Sequence, residues 1–327
     1  MEKKSLLEPL AVSPEPIIAL EYQAMLHQVL FAAVKAELFG YLTEPHTPAE
    51  LCAAKGWREP FALLLLRILL RAGFLAQQGS RYVNTALAED YLRLDSELCL
   101  AECLQLDLAP GGFAQNVMAL LDAKAEMPLR FMPHWGPSRL RRLSTYALTG
   151  NLCRTVEAIS LRGDERVLDL GGGHGLYALA LLEKYPQLQV TVQDLPEIVP
   201  LAAENAKRAG LSERLHLRSS DFIAEELESG YDVILCFNIL SGEQRRRIIL
   251  SKVREALQPG GRVLVKARFD DCEDTLRDLL DKLRWFAFGR KPLDTSADWL
   301  RLLGEMGFQA PRICVRLGGS GLLEARR

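Results

Sequence analysis

Three consecutive glycines lie in the stretch VLDLGGGHGLY, residues 167–177, and bare backbone at that point would let a ligand approach closely. A short apolar run precedes the glycines and an apolar-periodic segment follows them, so the stretch predicts a strand, a loop and a helix. The first turn of such a helix offers unpaired N–H groups. The pattern therefore favours the polar end of a nucleoside cofactor.

An acidic residue supports the same interpretation. Asp194 ends the next apolar run, roughly 20 residues after the loop, where a carboxylate can accept hydrogen bonds from a ribose diol. A dinucleotide site needs the spacing G-x-G-x-x-G. Gly171 and Gly173 fit that spacing, but Leu176 stands at the third glycine position. The loop and the acid thus predict an adenosine ribose, and NAD fits the spacing less well.

Five motifs in order carry a family resemblance: RVLDLGGGHGLYALALLEKYP, VTVQDLP, SSDF, YDVILCFNIL and LQPGGRVLV. Together they resemble the S-adenosylmethionine-dependent O-methyltransferases that act on small molecules, such as the plant caffeate enzymes and acetylserotonin methyltransferase. The resemblance covers nearly the whole chain. It implies a winged-helix dimerisation domain over residues 1–105, a helical connector with a Rossmann-like domain over residues 106–327, and a homodimer.

The resemblance also implies a role for each residue of the cofactor site. Gly171 and Gly173 would pass the amino-acid end of S-adenosylmethionine, and Asp194 would hold the ribose hydroxyls. The other implied contacts are Leu195 beside the adenine, Asp221 at its amino group, Phe222 on its ring, Ser220 where the family often has glycine, and Asn238 near the sulfonium. From the residues alone, without the order of the motifs, a helix N-cap is the preferred role for Asp221 and a core position is the preferred role for Phe222.

The catalytic pattern departs from the family. Members usually place a histidine three residues after the site of Asn238, and here that position is Ser241. An acid that ends the following strand is replaced by residues 266–268, KAR. Serine is a poor base near neutral pH unless it is activated.

Three explanations of this departure stay open. Glu243 or His134 is a candidate base by position alone. In a second alternative the acceptor is a carbon, a thiol or an already ionised oxygen and needs no base. In a third alternative the protein binds S-adenosylmethionine without methyl transfer, as a decarboxylase, a hydroxylase or a regulatory protein. Methyl transfer to oxygen on a small, largely apolar molecule is the expectation from the family.

Two segments contain the candidate walls of an acceptor pocket, although ordinary core positions are the alternative for each residue. These residues are Met118, Phe131, Met132, Trp135, Trp285, Phe286 and Phe288. His174 lies in the glycine loop itself and is a candidate neighbour of the cofactor's carboxylate end.

The elements around the loop predict an α/β fold. Short apolar runs alternate with helical patterns from residue 164 onward, which favours a mostly parallel sheet with helices on both faces. Upstream, Thr47, Pro48 and Glu50 form a capping-box pattern, and a Leu-rich helix at 58–72 precedes a hairpin around residues 78–80. This order is that of a winged helix, and its apolar second helix favours dimerisation over DNA binding.

Composition limits the remaining classes. The 327 residues are 49% hydrophobic and 25% charged, with a formal net charge of −2, so general polyanion binding is not expected. No run approaches the roughly 20 uninterrupted apolar residues of a membrane span, and a cytoplasmic location is expected. The seven cysteines are scattered without paired spacing, which predicts neither a disulfide framework nor a metal site.

Overall fold

The computed structural model describes residues 15–101, 152–271 and 293–327. The chain divides into two compact units, Met1–Gly112 and Phe113–Arg327, and each is described here by itself. The boundary predicted at residue 105 falls in a segment outside the described residues and stays a prediction.

The first unit has the predicted winged-helix order of helices followed by a hairpin. Its described elements are α1 (Glu15–Lys35), α2 (Leu38–Tyr41), α3 (Pro48–Lys55), α4 (Glu59–Arg71), β1 (Leu75–Gln78), β2 (Arg81–Asn84) and α5 (Ala86–Tyr91). The strands β1 and β2 are antiparallel. Leucines from α2, α3 and α4 share one buried core.

The capping box at the start of α3 is confirmed. Glu50 N–H donates to Thr47 Oγ1 at 3.2 Å, and Thr47 N–H donates to the Glu50 carboxylate at 2.8 Å. Arg81 from the hairpin pairs with the same carboxylate at 3.0 Å. The cap therefore also links the hairpin to α3, and the Thr47 hydrogen bonds hold the pKa of Glu50 below its ordinary value.

Apolar side chains lie on the surface of this unit, on α1 and α4. Leu20 and Met25 of α1 are exposed, and so are Phe61 and Leu64 of α4. The sequence analysis expected the Leu-rich helix α4 to be buried, and in the single chain it is buried on one side only. Among the described residues, Pro16–Lys35 is also apolar and long enough to cross a membrane by length and composition.

The second unit contains the strands and helices predicted around the glycine loop. They are α6 (Leu152–Glu157), β3 (Arg166–Leu170), α7 (Leu176–Lys184), β4 (Gln189–Asp194), α8 (Val199–Ala209), β5 (Leu215–Ser219), β6 (Tyr231–Phe237), α9 (Glu243–Ala256), β7 (Leu257–Arg268), α10 (Ser296–Glu305), β8 (Gln309–Arg316) and β9 (Ser320–Arg326).

These strands form one seven-stranded sheet in the order β5-β4-β3-β6-β7-β9-β8. The first five strands are parallel, and β9 is antiparallel to both β7 and β8. Apolar residues fill both faces of the sheet and form two buried clusters. The α/β fold class is therefore confirmed, and the carboxyl ends of β3, β4 and β6 meet at one edge, where ligands of such sheets bind.

One boundary differs from the prediction. The pattern QPGGR at 258–262 predicts the end of a helix and a turn into the next strand, whereas α9 ends at Ala256 and β7 already begins at Leu257. The pairing of β6 with β7 shifts register here, so the extra residues form an irregularity inside the strand. Gly261 permits this arrangement, because a Cβ at that position would lie 2.9–3.1 Å from three backbone oxygens.

Candidate functional site

The glycine loop joins β3 to α7 with a backbone that only glycine adopts readily. Gly171, Gly173 and Gly175 have positive φ angles of 67°, 57° and 72°. Gly171 N–H donates to the carbonyl of Gln193 at 2.7 Å, which fixes the loop against the end of β4. A Cβ on Gly171 would lie 2.6 Å from Cγ2 of Ile239, so a side chain would have to displace that neighbour.

Asp194 ends β4 beside this loop, as the spacing predicted. Its Oδ2 accepts from Gly173 N–H at 2.8 Å, and its Oδ1 accepts from Leu195 N–H at 2.8 Å. Burial raises the pKa of this carboxyl, and the two backbone hydrogen bonds act in the opposite direction. The carboxylate is thus held at the loop by backbone donors.

A second carboxyl, which the sequence analysis did not select, lies beneath the loop. Asp169 on β3 is 1% exposed, and its Oδ2 has no hydrogen-bond partner in the described part of the chain. A Cβ on Gly172 would lie 2.7 Å from that oxygen, so the glycine leaves room for it. Burial, and then the charge of Asp194, raise the pKa of Asp169 to about 7. The sequence signal that could have identified Asp169 is an acidic residue inside the otherwise apolar run VLDL.

The end of β4 contains a buried hydrogen bond between a side-chain amide and a hydroxyl group. Gln193 Nε2 donates to Ser220 Oγ at 2.8 Å, and Ser220 N–H donates to the carbonyl of Asp194 at 3.0 Å. Both side chains are buried. Ser220 is therefore brought to the same edge as Asp194, and its hydroxyl accepts a hydrogen bond from the neighbouring strand.

Asp221 and Phe222 follow β5 and have the local roles that the residue types alone allowed. The Asp221 carboxylate accepts from Ile223 N–H at 2.8 Å and so caps a turn, while it remains exposed. Phe222 is buried in the core, and its ring edge lies 3.5 Å from where a Cβ on Gly171 would stand. Phe222 thus reaches the glycine loop, and Asp221 stands next to it.

Two further predicted contacts lie at the same edge. Asn238 follows β6 with a positive φ of 61°, which is uncommon outside glycine, and its N–H donates to the carbonyl of Lys266 at 2.9 Å. Leu195 is partly buried against Ile198 and Leu201.

A buried lysine on β7 forms a cluster of polar side chains with a tyrosine and a threonine. Lys266 is 5% exposed, and its Nζ donates to Tyr177 Oη at 2.6 Å and to Thr155 Oγ1 at 3.1 Å. Burial lowers the pKa of Lys266 to about 8 and raises the pKa of Tyr177 to about 12. The cluster therefore joins β7 to α7 and α6.

His174 of the glycine loop stands next to this cluster. Its ring centroid lies 6.2 Å from that of Tyr177, and its Nδ1 accepts from Leu176 N–H at 3.1 Å. Burial, together with the charge of Lys266, lowers the pKa of His174 to about 4. The imidazole is therefore neutral at physiological pH, with its proton assigned to Nε2 by the hydrogen bond at Nδ1.

The candidate bases are less well connected to this edge. Glu243 is the first residue of α9, and its side chain is 68% exposed and pairs with Arg247 at 3.7 Å. Ser241 is exposed, and Ala267 on β7 is buried. His134 and all seven candidate pocket walls lie outside the described residues.

The comparisons with known proteins agree with this architecture. Residues 144–309 match the O-methyltransferase domain, and residues 20–93 match the O-methyltransferase dimerisation domain. The chain belongs to the O-methyltransferase family.

One relative and two solved structures illustrate the similarity of this chain to known methyltransferases. A 3-hydroxy-5-methyl-1-naphthoate 3-O-methyltransferase of Streptomyces sahachiroi is 32% identical over 73% of this chain and 72% of its own. Human N-acetylserotonin methyltransferase in complex with S-adenosylmethionine superposes with a TM-score of 0.72 at 22% identity, over 98% and 99% of the two chains. An N,N-8-amino-8-demethyl-D-riboflavin dimethyltransferase of Streptomyces davawensis reaches 0.79 at 20% identity, over 96% and 99%.

The protein is thus a methyltransferase, and S-adenosylmethionine is its cofactor. The described residues fit that molecule at two points. The cradle at Gly171 and Gly172 is a space that a Cβ would fill. The orphaned oxygen of Asp169 is a buried acceptor, and the amino group of the cofactor is a donor.

Proposed function

We propose that the protein transfers a methyl group from S-adenosylmethionine to a small, largely apolar molecule, and that it works as a homodimer in the cytoplasm. The observation that carries the proposal is the bare loop from Gly171 to Gly173, closed by the carboxylate of Asp194. When bound, the cofactor supplies a sulfonium methyl group for in-line displacement. The chain's own task is to hold the two reactants in line and to exclude water.

The polar residues of the loop suit the amino-acid and ribose ends of the cofactor. In our proposal Gly171 and Gly173 pass the amino-acid end, and Asp194 accepts hydrogen bonds from the ribose hydroxyls. The orphaned Asp169 oxygen accepts from the α-ammonium group, which supplies the partner that this buried atom lacks.

The residues after β4 and β5 suit the adenine. Leu195 and Phe222 provide apolar surface for the ring, and the exposed carboxylate of Asp221 accepts from the exocyclic amine. Ser220 supports this segment through its hydrogen bonds to β4. Asn238 then stands near the sulfonium, at the end of β6.

Replacing Asp194 with alanine should weaken S-adenosylmethionine binding at least about tenfold, because an acceptor of charge-assisted hydrogen bonds is lost. Isothermal titration calorimetry measures the change directly. Glu213→Ala is the matched control, since Glu213 is an exposed carboxylate in the turn before β5 and should leave the affinity unchanged. An Asp194→Ala protein with wild-type affinity would contradict the ribose assignment.

The kind of acceptor atom that the site can use depends on whether a residue of the site can deprotonate it. A phenol has a pKa near 10, and a positioned base contributes roughly 10²–10⁴-fold to the rate. Ser241 and Ala267 supply no basic group, so Glu243 and His134 are the candidates if the acceptor needs one. One relative is named for methyl transfer to oxygen, and one structural neighbour is named for methyl transfer to an amino nitrogen. Oxygen and nitrogen are therefore both candidate acceptor atoms.

We expect Glu243→Gln to lower kcat less than His134→Gln. The Glu243 carboxylate is exposed to water and paired with Arg247, which disfavours a role as a base. A matched pair of pH–rate profiles measures the difference, because loss of a base also removes the ionisation that it contributes to kcat. A larger loss in Glu243→Gln would assign the base to the start of α9.

The homodimer is supported by the apolar surface of the first unit. A groove of about 450 Å³ on this unit is lined by Ala32 of α1, by Ala36 just after this helix, by Trp57, and by Phe61 and Leu65 of α4. Exposed apolar patches of this kind mark interaction sites. The match of residues 20–93 to a dimerisation domain favours a second copy of this chain as the partner of α1, in place of a membrane.

A further inference from the structure

Two buried groups of opposite charge stand near the glycine loop without neutralising one another. Asp169 lies on β3 and Lys266 lies on β7, with β6 between these two strands. Tyr177 of α7 interacts with both groups: its Oη accepts from Lys266 Nζ at 2.6 Å, and the charge of Asp169 contributes to raising its pKa.

Lys266 has only neutral partners. Its Nζ donates to the hydroxyls of Thr155 and Tyr177 and lies 4.9 Å from the Tyr177 ring centroid, and in the described part of the chain it forms no ion pair. A buried ammonium without a counter-charge is costly, and charges of this kind are normally paired. Within residues 15–101, 152–271 and 293–327, the arrangement therefore lacks an anion.

The titratable groups around Lys266 do not supply that anion. His174, from the glycine loop, is neutral and has a pKa lowered partly by Lys266. Tyr177, from α7, is held in its neutral form. Asp169 and Asp194 lie at the ends of β3 and β4, and neither pairs with the lysine.

We propose that Lys266 binds the α-carboxylate of S-adenosylmethionine, while the Asp169 oxygen accepts from the α-ammonium group. This inference rests on the proposed function, which places the amino-acid end of the cofactor at Gly171 and Gly173. An α-amino acid is a zwitterion, and its two charges match the two unpaired charges that the fold buries beside the loop. Binding would supply each buried charge with its partner in a charge-assisted hydrogen bond.

The test compares two ligands that share the adenosine part. S-adenosylhomocysteine carries the α-amino acid, whereas 5′-methylthioadenosine lacks both of its charges. In Lys266→Met we expect the affinity for S-adenosylhomocysteine to fall at least about tenfold, with the affinity for 5′-methylthioadenosine kept within about twofold. Isothermal titration calorimetry on the full chain measures both constants.

Lys184→Met is the matched control. Lys184 is the last residue of α7, and its Nζ donates to the carbonyls of Val156 and Ile159 at 2.9 and 2.8 Å. It therefore links α7 to the segment around the end of α6, much as Lys266 does. However, Lys184 lies in the last turn of α7, and the glycine loop precedes the first turn of that helix. Both ligands should bind this variant as they bind the wild type.

Each outcome decides the proposal. Equal weakening of both ligands in Lys266→Met, or weakening of neither, would overturn the carboxylate assignment and leave Lys266 as a structural link. If the wild type binds neither adenosyl ligand, the proposed function fails and this inference fails with it. Lys266→Gln, which keeps hydrogen-bonding capacity but not the charge, should behave as Lys266→Met does, and it replaces that variant in the test if the methionine protein does not fold.

Discussion

Replacing Asp169 with asparagine is expected to stabilise the ligand-free protein above neutral pH and, at the same time, to weaken its binding of S-adenosylhomocysteine. Both effects have one cause. The side chain is buried, one of its oxygens has no hydrogen-bond partner in the described residues, and burial raises its pKa to about 7. The site keeps a carboxyl where an amide would be less costly to bury.

The sign of the stability change follows from the proton balance. Between about pH 4 and pH 7 the folded protein holds a proton on Asp169 that the unfolded chain has lost. The stability from this group is therefore fully present below about pH 4 and is lost as the pH rises through about 7. Asparagine cannot ionise, so the advantage of Asp169→Asn should grow across this window and reach the order of 2–4 kcal/mol at about pH 8.

Denaturant unfolding at about pH 5 and about pH 8 measures this trend, and calorimetry with S-adenosylhomocysteine measures the binding loss, expected to be at least roughly tenfold. Asp164→Asn is the control, because Asp164 is an exposed carboxylate in the loop before β3 and should change neither quantity. An Asp169→Asn protein that is less stable than the wild type at both pH values would show that the carboxyl has a structural partner.

The sheet and the glycine loop could be predicted from the sequence because their signals are local. Alternating apolar runs and helical patterns indicate buried parallel strands with covering helices. Consecutive glycines between a strand and a helix indicate a backbone that needs positive φ, and the structure has such angles at Gly171, Gly173 and Gly175. The capping box at Thr47 is likewise contained within four residues.

The buried charges could not be predicted in the same way. Lys266 was read from the sequence only as part of a departure from the family pattern, because its partners Thr155 and Tyr177 lie far away along the chain. Asp169 was interpreted from the sequence only as one residue of a strand. What makes each of them notable is burial without an opposite charge, a property of the packed sheet that spacing does not reveal.

Glu243 illustrates a different limit of reasoning from the sequence. Glu243 was selected because it lies close in sequence to Ser241, but α9 begins there, and the side chain of its first residue is exposed and paired with Arg247. Nearness along the chain therefore did not predict the exposure of this side chain. The role of Glu243 as a base remains a prediction that the kcat comparison tests.

Replacing Gly171 with alanine should have the largest cost of any change in the loop. Its φ of 67° is unfavourable for alanine by about 1–2 kcal/mol, and the added Cβ would lie 2.6 Å from Ile239 Cγ2. Displacing a packed side chain typically costs a further 1–3 kcal/mol or so. We therefore expect a loss of about 3 kcal/mol in the free energy of unfolding, with S-adenosylhomocysteine binding abolished because the methyl group occupies the cradle.

Two variants separate the backbone strain from the clash. Gly210 ends α8 with the same φ of 67° but has no atom within 4 Å of a Cβ, so Gly210→Ala measures the strain alone. In an Ile239→Ala background the clash is removed, and the cost of Gly171→Ala should fall to about that of Gly210→Ala. If the cost is the same in both backgrounds, Ile239 is not what keeps residue 171 bare. The glycine would then be required by its backbone angle alone, and the loop would owe its shape to Gly171 and Gly173 without help from the segment that follows β6.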